Sequence, residues 1–248
     1  MAARAPVVLI AGASRGIGAQ VARTLAAGGC DLMLSARSEV DLARLGEELR
    51  PDGRRIAWAA IEATQAGASE ALVRQTVEIH GRLDALVFGA GALEVTRLVD
   101  ASDDDILASL ALNLMVPMRL SRAAARVRLP QRSGRIVYIR SIFGAASAPR
   151  YSLYSAAKAG LVGLAKSLAL EFAADNVQVN VVAPGQVRTA MVAPALERFG
   201  EERLARAIPS DRIAEPDEIA SVVKFLVLGA PRATTGSVLT VDGSFVCR

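Results

Sequence analysis

Tyr154 and Lys158 stand four residues apart in the stretch Tyr151-Ser-Leu-Tyr-Ser-Ala-Ala-Lys158. On a helix that spacing puts both side chains on one face. An ammonium beside a phenol favours phenolate, and would pull a tyrosine pKa of about 10 toward neutrality, where the group serves as a general acid or base. The same spacing arises in an ordinary amphipathic helix with a half-buried tyrosine, so the pair gains meaning only from what surrounds it.

The second chemical signal is Gly12-Ala-Ser-Arg-Gly16-Ile-Gly18, which follows the apolar run Val7–Ala11 and opens a helix-like segment from about Ile17 to Ala27. Gly12 permits a tight turn, Gly16 lets a backbone approach a pyrophosphate, and Gly18 allows close helix–strand packing. Amides at the helix start then point at the phosphate. Without its flanks the motif would be a plain structural turn; strand, glycine turn and helix together make it a nucleotide loop. The next strand, Asp31–Ala36, ends in Ala36-Arg37-Ser38, where an NAD site would carry an acid. Arg37 there, with Arg15 inside the glycine loop, favours a 2′-phosphate and hence NADPH. Taken singly, each arginine is more often a solvated surface side chain; their joint placement is what favours the phosphate.

These residues need a scaffold, and the chain supplies one. Strand-length apolar runs at Val7–Ala11, Asp31–Ala36, Arg55–Ile61, Leu83–Phe88, Gly134–Ile139, Val177–Val182 and Ser237–Val241 alternate with helical patterns. The helices are expected at Ile17–Ala27, Glu39–Arg50, Ala66–His80, Asp103–Arg128, Tyr151–Ala174 and Glu215–Leu228, with a short patch at Pro194–Ala207. Continuously apolar strands between helices predict an α/β, doubly wound, mostly parallel seven-stranded sheet with helices on both faces, the Rossmann fold. No repeat, linker or second core is visible, so residues 1–248 read as one domain. In such sheets ligands sit outside the C-terminal strand ends. Gly12–Gly18, Arg37, Gly89–Gly91, Ser141 and Pro184–Thr189 all follow strand ends. Pro117, inside the Asp103–Arg128 helix, predicts an irregularity near Asn113. A hydroxyl from Ser141 and a tunable acid from Tyr154 beside a nicotinamide make a carbonyl-reduction site. His80, at a helix end before Gly81, is given no role beyond capping.

Composition narrows the class. The net charge of +4 comes almost wholly from arginine, since lysine occurs only at 158, 166 and 224. The arginines are scattered without interleaved aromatics, which argues against nucleic acid and fits anionic small ligands. Cys30 and Cys247 lack metal-ligand spacing, and two thiols in 248 residues fit a reducing, cytoplasmic compartment. No metal site, signal segment or membrane span is expected. Small and apolar residues spread around the Ser152–Ala174 helix ask for a symmetric partner.

The chain resembles the short-chain dehydrogenase/reductase family from about Val7 to Gly243. The likeness rests on Ala11-Gly-Ala-Ser-Arg-Gly-Ile-Gly18, Asp84-Ala-Leu-Val-Phe-Gly-Ala-Gly91, Asn113, Gly134-Arg-Ile-Val-Tyr-Ile-Arg-Ser141, Tyr154-x-x-x-Lys158, Asn180-Val-Val-Ala-Pro-Gly185 and Thr235–Gly243. It implies a catalytic set of Asn113, Ser141, Tyr154 and Lys158. In that family the lysine also binds the nicotinamide ribose, and the asparagine holds a water at a helix kink. Cofactor contacts are implied for Gly12, Ser14, Arg15, Gly16, Ile17, Gly18, Arg37, Glu62, Ala63, Gly89, Ala90, Gly91, Tyr154, Lys158, Pro184, Gly185, Val187 and Thr189. A loop at about 187–212 would cover the substrate. Within the family the likeness is to 3-oxoacyl-(acyl-carrier-protein) reductases, which implies a ketone or acyl-thioester substrate and a homotetramer. Arg132 matches one basic position those enzymes use to dock the acidic carrier, whereas Asp175 occupies the second. The family pattern also differs at Phe88-Gly89, where asparagines are usual, and at Tyr138 and Arg140 before the serine. Arg140 is expected near the rim of the site, either as a contact for an anionic substrate or as a surface cation. The open alternatives are a secondary-alcohol dehydrogenase and a nucleotide-binding regulatory module without turnover.

Overall fold

The computed structural model describes residues 4–50 and 53–247. Its seven strands are β1 (Val7–Ala11), β2 (Asp31–Ala36), β3 (Ile56–Ala60), β4 (Ala85–Phe88), β5 (Gly134–Ile139), β6 (Val177–Pro184) and β7 (Val238–Val241). They form one sheet in the order β3-β2-β1-β4-β5-β6-β7. Every pairing is parallel, so the "mostly parallel" expectation sharpens to wholly parallel. The order reverses between β1 and β4, and the crevice beyond those two strand ends is where such sheets bind ligands.

Helices cover both faces because the central strands are buried on both sides. Val8, Ile10, Leu34, Val87, Val137 and Ile139 point to one face, packed by α1 (Gly16–Ala27), α2 (Glu39–Leu49) and α9 (Pro216–Lys224). Leu9, Leu86, Phe88, Ile136, Tyr138 and Val181 point to the other, packed by α3 (Ala68–His80), α5 (Val116–Arg128) and α6 (Ser152–Phe172). The alternation is the two-residue period of a strand displayed on both layers. Phe88 and Tyr138 are in register on neighbouring strands and fully buried, with the Tyr138 hydroxyl hydrogen-bonded to Ser121 Oγ. A wholly apolar wall with one satisfied hydroxyl thus lies under the strand ends that carry the site.

The single helix expected over Asp103–Arg128 is three pieces: α4 (Asp103–Leu110), a π turn at Ala111–Met115, and α5. Pro117 lacks the N–H that the Asn113 carbonyl would accept four residues earlier, and the backbone widens there instead. The start of α4 is set by a capping box between Ser102 and Asp105. The helical patch expected at Pro194–Ala207 divides into α7 (Ala193–Phe199) and α8 (Glu201–Arg206), because Gly200 takes φ +76° between them. Likewise the Glu215–Leu228 helix ends as α9 at Lys224 and continues as a π turn through Gly229. His80 does not cap with its ring: the imidazole is buried, Gly81 turns the chain in the left-handed region, and burial lowers the His80 pKa.

Candidate active site

The glycine loop leaves β1 and is pinned at once to β2, since Gly12 and Ala13 both donate to the Ser35 carbonyl, at 2.7 and 3.0 Å. Gly12 has φ +88°, and a Cβ there would lie 2.5 Å from Ala90 N, so only glycine lets this loop meet the Gly89–Gly91 segment. Gly89 N in turn donates to the Ala11 carbonyl at 2.9 Å. A Cβ on Gly18 would lie 2.0 Å from Gly12 O, which accounts for the tight entry into α1. Arg15 immediately precedes α1 and is exposed beside Ser14, while Ile17 packs into the core. Arg37 is exposed two residues after Ser35. Neither arginine has a hydrogen-bond or ion-pair partner among the described residues.

From the far side, the segment after β6 closes on the same loop. Gly185 N donates to Val241 O at 2.9 Å, continuing the β6–β7 pairing beyond Pro184. Val187 bridges Ala214, and the Thr189 methyl lies 3.5 Å from where a Gly16 Cβ would be. Glu62 and Ala63 follow β3, but Glu62 Oε1 accepts from Thr64 Oγ1 at 2.8 Å, so that carboxylate closes its own turn. Gly12–Gly18, Gly89–Gly91 and Thr189 therefore adjoin in one crevice, with the exposed Arg37 following the end of the neighbouring β2. Its glycine cradle and two free guanidiniums fit a dinucleotide carrying an additional phosphate.

Asn113, Ser141, Tyr154 and Lys158 come together at the mouth of that crevice. Ser141 follows β5, and its Oγ accepts from Phe143 N at 3.3 Å to start a short turn. That turn crosses α6 closely: a Cβ on Gly144 would lie 2.9 Å from the Lys158 carbonyl. Tyr154 and Lys158 lie one helical turn apart in α6 and are both buried. Asn113 is wholly buried in the π turn, and its Nδ2 donates to the Ala92 and Ser109 carbonyls, both at 3.1 Å. Its Oδ1 has no partner among the described residues. A Cβ on Gly91 would lie 3.0 Å from Asn113 Oδ1 and 3.1 Å from Lys158 Nζ, so the amide oxygen and the ammonium flank the same point. Tyr151 packs at a tilt against Phe143, with ring centroids 4.8 Å apart, beside the phenol.

The electrostatics differ from the simple pairing expected from spacing. Burial pushes the Tyr154 phenol up to about 12, against a smaller lowering from its hydrogen bond with Ser141 and a further rise from the nearby Glu94 charge. Burial also lowers Lys158 to about 8. Lys158 Nζ lies 5.5 Å from the Tyr154 ring centroid, over the ring rather than at the hydroxyl. Desolvation of both groups outweighs their mutual attraction, so at neutral pH the phenol holds its proton. Glu94 was invisible in the sequence, being a lone acid in a loop with no spacing signal, yet one of its carboxylate oxygens is buried and without a partner among the described residues. Arg140, expected near the rim, is instead buried under the Ser141–Gly144 turn, with Nε and Nη1 unpaired among the described residues. A mostly apolar cavity of about 590 Å³ beside this turn is lined by Leu98, Pro149 and Ser155 but by neither Ser141 nor Tyr154, so it lies off the convergence point.

A parallel sheet with a glycine loop after β1 and a Ser–Tyr–Lys cluster at its C-terminal edge defines a nucleotide-dependent oxidoreductase. A family model described as Enoyl-(Acyl carrier protein) reductase matches residues 12–245. The 3-oxoacyl-[acyl-carrier-protein] reductase of Synechocystis sp. is 36% identical over 246 residues, covering 98% of this chain and 97% of its own. The corresponding Salmonella typhimurium reductase is 35% identical, with 96% of each chain covered. Among solved structures, a variant of the actinorhodin polyketide ketoreductase with NADPH superposes with a TM-score of 0.93 at 31% identity, over 97% of both chains. ElxO with NADP bound gives 0.91 at 26% identity, over 99% of this chain and 100% of its own. The chain belongs to the short-chain dehydrogenase/reductase family of oxidoreductases.

Proposed function

We propose that the chain is an NADPH-dependent reductase that converts a ketone or 3-oxoacyl group to a secondary alcohol, with Tyr154 as the general acid. The observation that carries this is the convergence of Ser141, Tyr154, Lys158 and Asn113 beside Gly91, at the strand ends that also hold the glycine loop. Bound NADPH supplies hydride to the carbonyl carbon. Tyr154 holds the proton that the carbonyl oxygen takes up, and its raised pKa keeps that proton in place until negative charge develops on the oxygen. Ser141 Oγ donates to the same oxygen, the family's role for this residue. Lys158 and Asn113 hold the nicotinamide ribose and a water between them, and the unpaired Asn113 Oδ1 is an acceptor aimed at that point.

The free guanidiniums of Arg15 and Arg37 take the 2′-phosphate, which two cations recognise better than the ribose hydroxyls of NAD. The NADPH and NADP of the structural relatives support the same choice. Residues 187–212 form the substrate cover, held by Arg188, which donates to Glu201 at 2.5 and 3.0 Å and to Glu215 at 2.7 Å. Carrier-protein docking gains little support. Arg132 turns to Asp175 at 3.5 Å and to the Ala174 carbonyl at 2.7 Å, so the one basic position present is already engaged. A homotetramer draws support from exposed Leu107, Met118 and Leu170 on α4, α5 and α6. No helix of the described residues is long and apolar enough to cross a membrane.

The deciding assay follows NADPH consumption with an acetoacetyl thioester and a panel of simple ketones. Turnover is expected with at least one. NADPH binding with no ketone reduced would refute the reductase and leave a nucleotide-binding module. Arg37→Asp should move preference toward NADH by at least tenfold, and an unchanged preference would exclude the 2′-phosphate contact.

A further inference from the structure

At the edge of the sheet remote from the glycine loop, where β1, β4, β5 and β6 begin, lies a cavity of about 300 Å³. Five arginines line it, Arg4, Arg82, Arg128, Arg135 and Arg232, against the single carboxylate of Asp84. That carboxylate is already saturated. Arg82 meets it through two contacts of 2.7 Å, the Val7 amide donates to it at 2.9 Å, and Arg128 reaches it at only 3.5 Å. Arg135 spends its donors on the neutral Leu226 and Ala230 carbonyls, at 2.6 and 2.9 Å.

Arg128 is the telling member. Its side chain is only 4% exposed, it donates from Nη1 to Gln131, and its Nε has no acceptor among the described residues. A Cβ on Gly134 would lie 2.9 Å from that Nε, so the guanidinium lies across the first residue of β5, where only glycine leaves room. Arg232, exposed at the cavity mouth, has no hydrogen-bond or ion-pair partner among the described residues. Holding Asp84 requires one cation, not five. A buried cation is costly unless an anion accompanies it, and guanidinium forks match oxyanions in pairs. The positive groups stand on separate elements around the cavity, so the matching ligand carries charge at more than one point.

We propose that this cavity binds a small multivalent phosphate, two linked phosphoryl groups as in pyrophosphate or the diphosphate of a nucleotide. The site is separate from the crevice at the C-terminal strand ends and does not depend on the reductase assignment. Both sources present the same linked phosphates to the arginines.

Calorimetric titration of the full chain with inorganic pyrophosphate tests it, with ADP and orthophosphate in parallel. The glycine loop is neutralised by repeating the titration on an Arg15→Ser/Arg37→Ser variant. One pyrophosphate should bind per chain in the wild type and in that variant, more weakly as salt rises. Arg4→Ser/Arg232→Ser should weaken it at least tenfold, and Arg232→Ser alone, which breaks no contact in the fold, at least threefold. ADP bound with the same sensitivity identifies the nucleotide form as ligand; pyrophosphate bound without ADP identifies the free anion. Loss of binding once the glycine loop is neutralised, affinity unchanged in the Arg4/Arg232 variants, or orthophosphate binding as tightly as pyrophosphate would each overturn the proposal.

Discussion

Replacing Lys158 by methionine should stabilise the fold while destroying activity. The residue is buried, and its charged form is disfavoured enough to bring the pKa from 10.5 to about 8. At about 1.4 kcal/mol per pKa unit, burying the charge costs about 3 kcal/mol below pH 8. The contact with the Tyr154 ring at 5.5 Å offsets about 1 kcal/mol of that. Lys158→Met, which keeps length and apolar packing, should therefore gain about 2 kcal/mol at pH 7, or about 4–8 °C in Tm for a chain of this size. The sign with pH follows from the lowered pKa. Below about 8 both folded and unfolded wild type hold the proton and the penalty is constant. Between about 8 and 10.5 only the unfolded state holds it, so wild type recovers up to about 1.4 kcal/mol per pH unit. The advantage of the variant should accordingly shrink as pH rises from 7 to 10. Urea unfolding of both proteins across that range measures it. A variant less stable than wild type at pH 7, or an advantage independent of pH, would show that Lys158 is not a buried charge held for function.

Three further outcomes follow from the site. Tyr154→Phe should lower turnover at least a thousandfold with cofactor affinity within about threefold, as measured by initial rates and cofactor fluorescence, because only the proposed proton donor is removed. Gly91→Ala should leave the chain folded yet cut kcat/KM by ten- to a hundredfold, since the new methyl enters between Asn113 Oδ1 and Lys158 Nζ; unchanged kinetics would separate those two groups from the chemistry. Arg188→Gln removes the contacts to Glu201 and Glu215 on the exposed cover, so KM should rise severalfold with Tm shifted by less than about 2 °C. A change in kcat alone would argue against the covering role.

The strands were legible because each is a short apolar run, and a strand buried on both faces needs nothing else. The glycine loop was legible for a related reason: the left-handed Gly12 and the crowded Gly18 impose residue identity on local sequence. The π turn at Asn113 was half-legible, since Pro117 announces a missing donor but not which way the helix relaxes. The split at Gly200 rests on the residue's own left-handed backbone, whereas the helical pattern of Pro194–Ala207 runs on either side of it.

What the chain alone determined is therefore everything set within a few residues: strand and helix type, the phosphate loop, and the four-residue spacing of Tyr154 and Lys158. Tertiary structure decided the values those groups take. Spacing predicted a phenol drawn toward neutrality, whereas burial raises it to about 12 and lowers its lysine neighbour to about 8, because desolvation depends on everything packed around them. Only the fold could pair Arg132 with Asp175, or bury Arg140 under its turn. The arginine cavity is the clearest case, for residues 4, 82, 128, 135 and 232 are unremarkable where they stand in the chain. A parallel sheet brings all its strand beginnings to one edge, so cations scattered through the sequence meet there around one carboxylate.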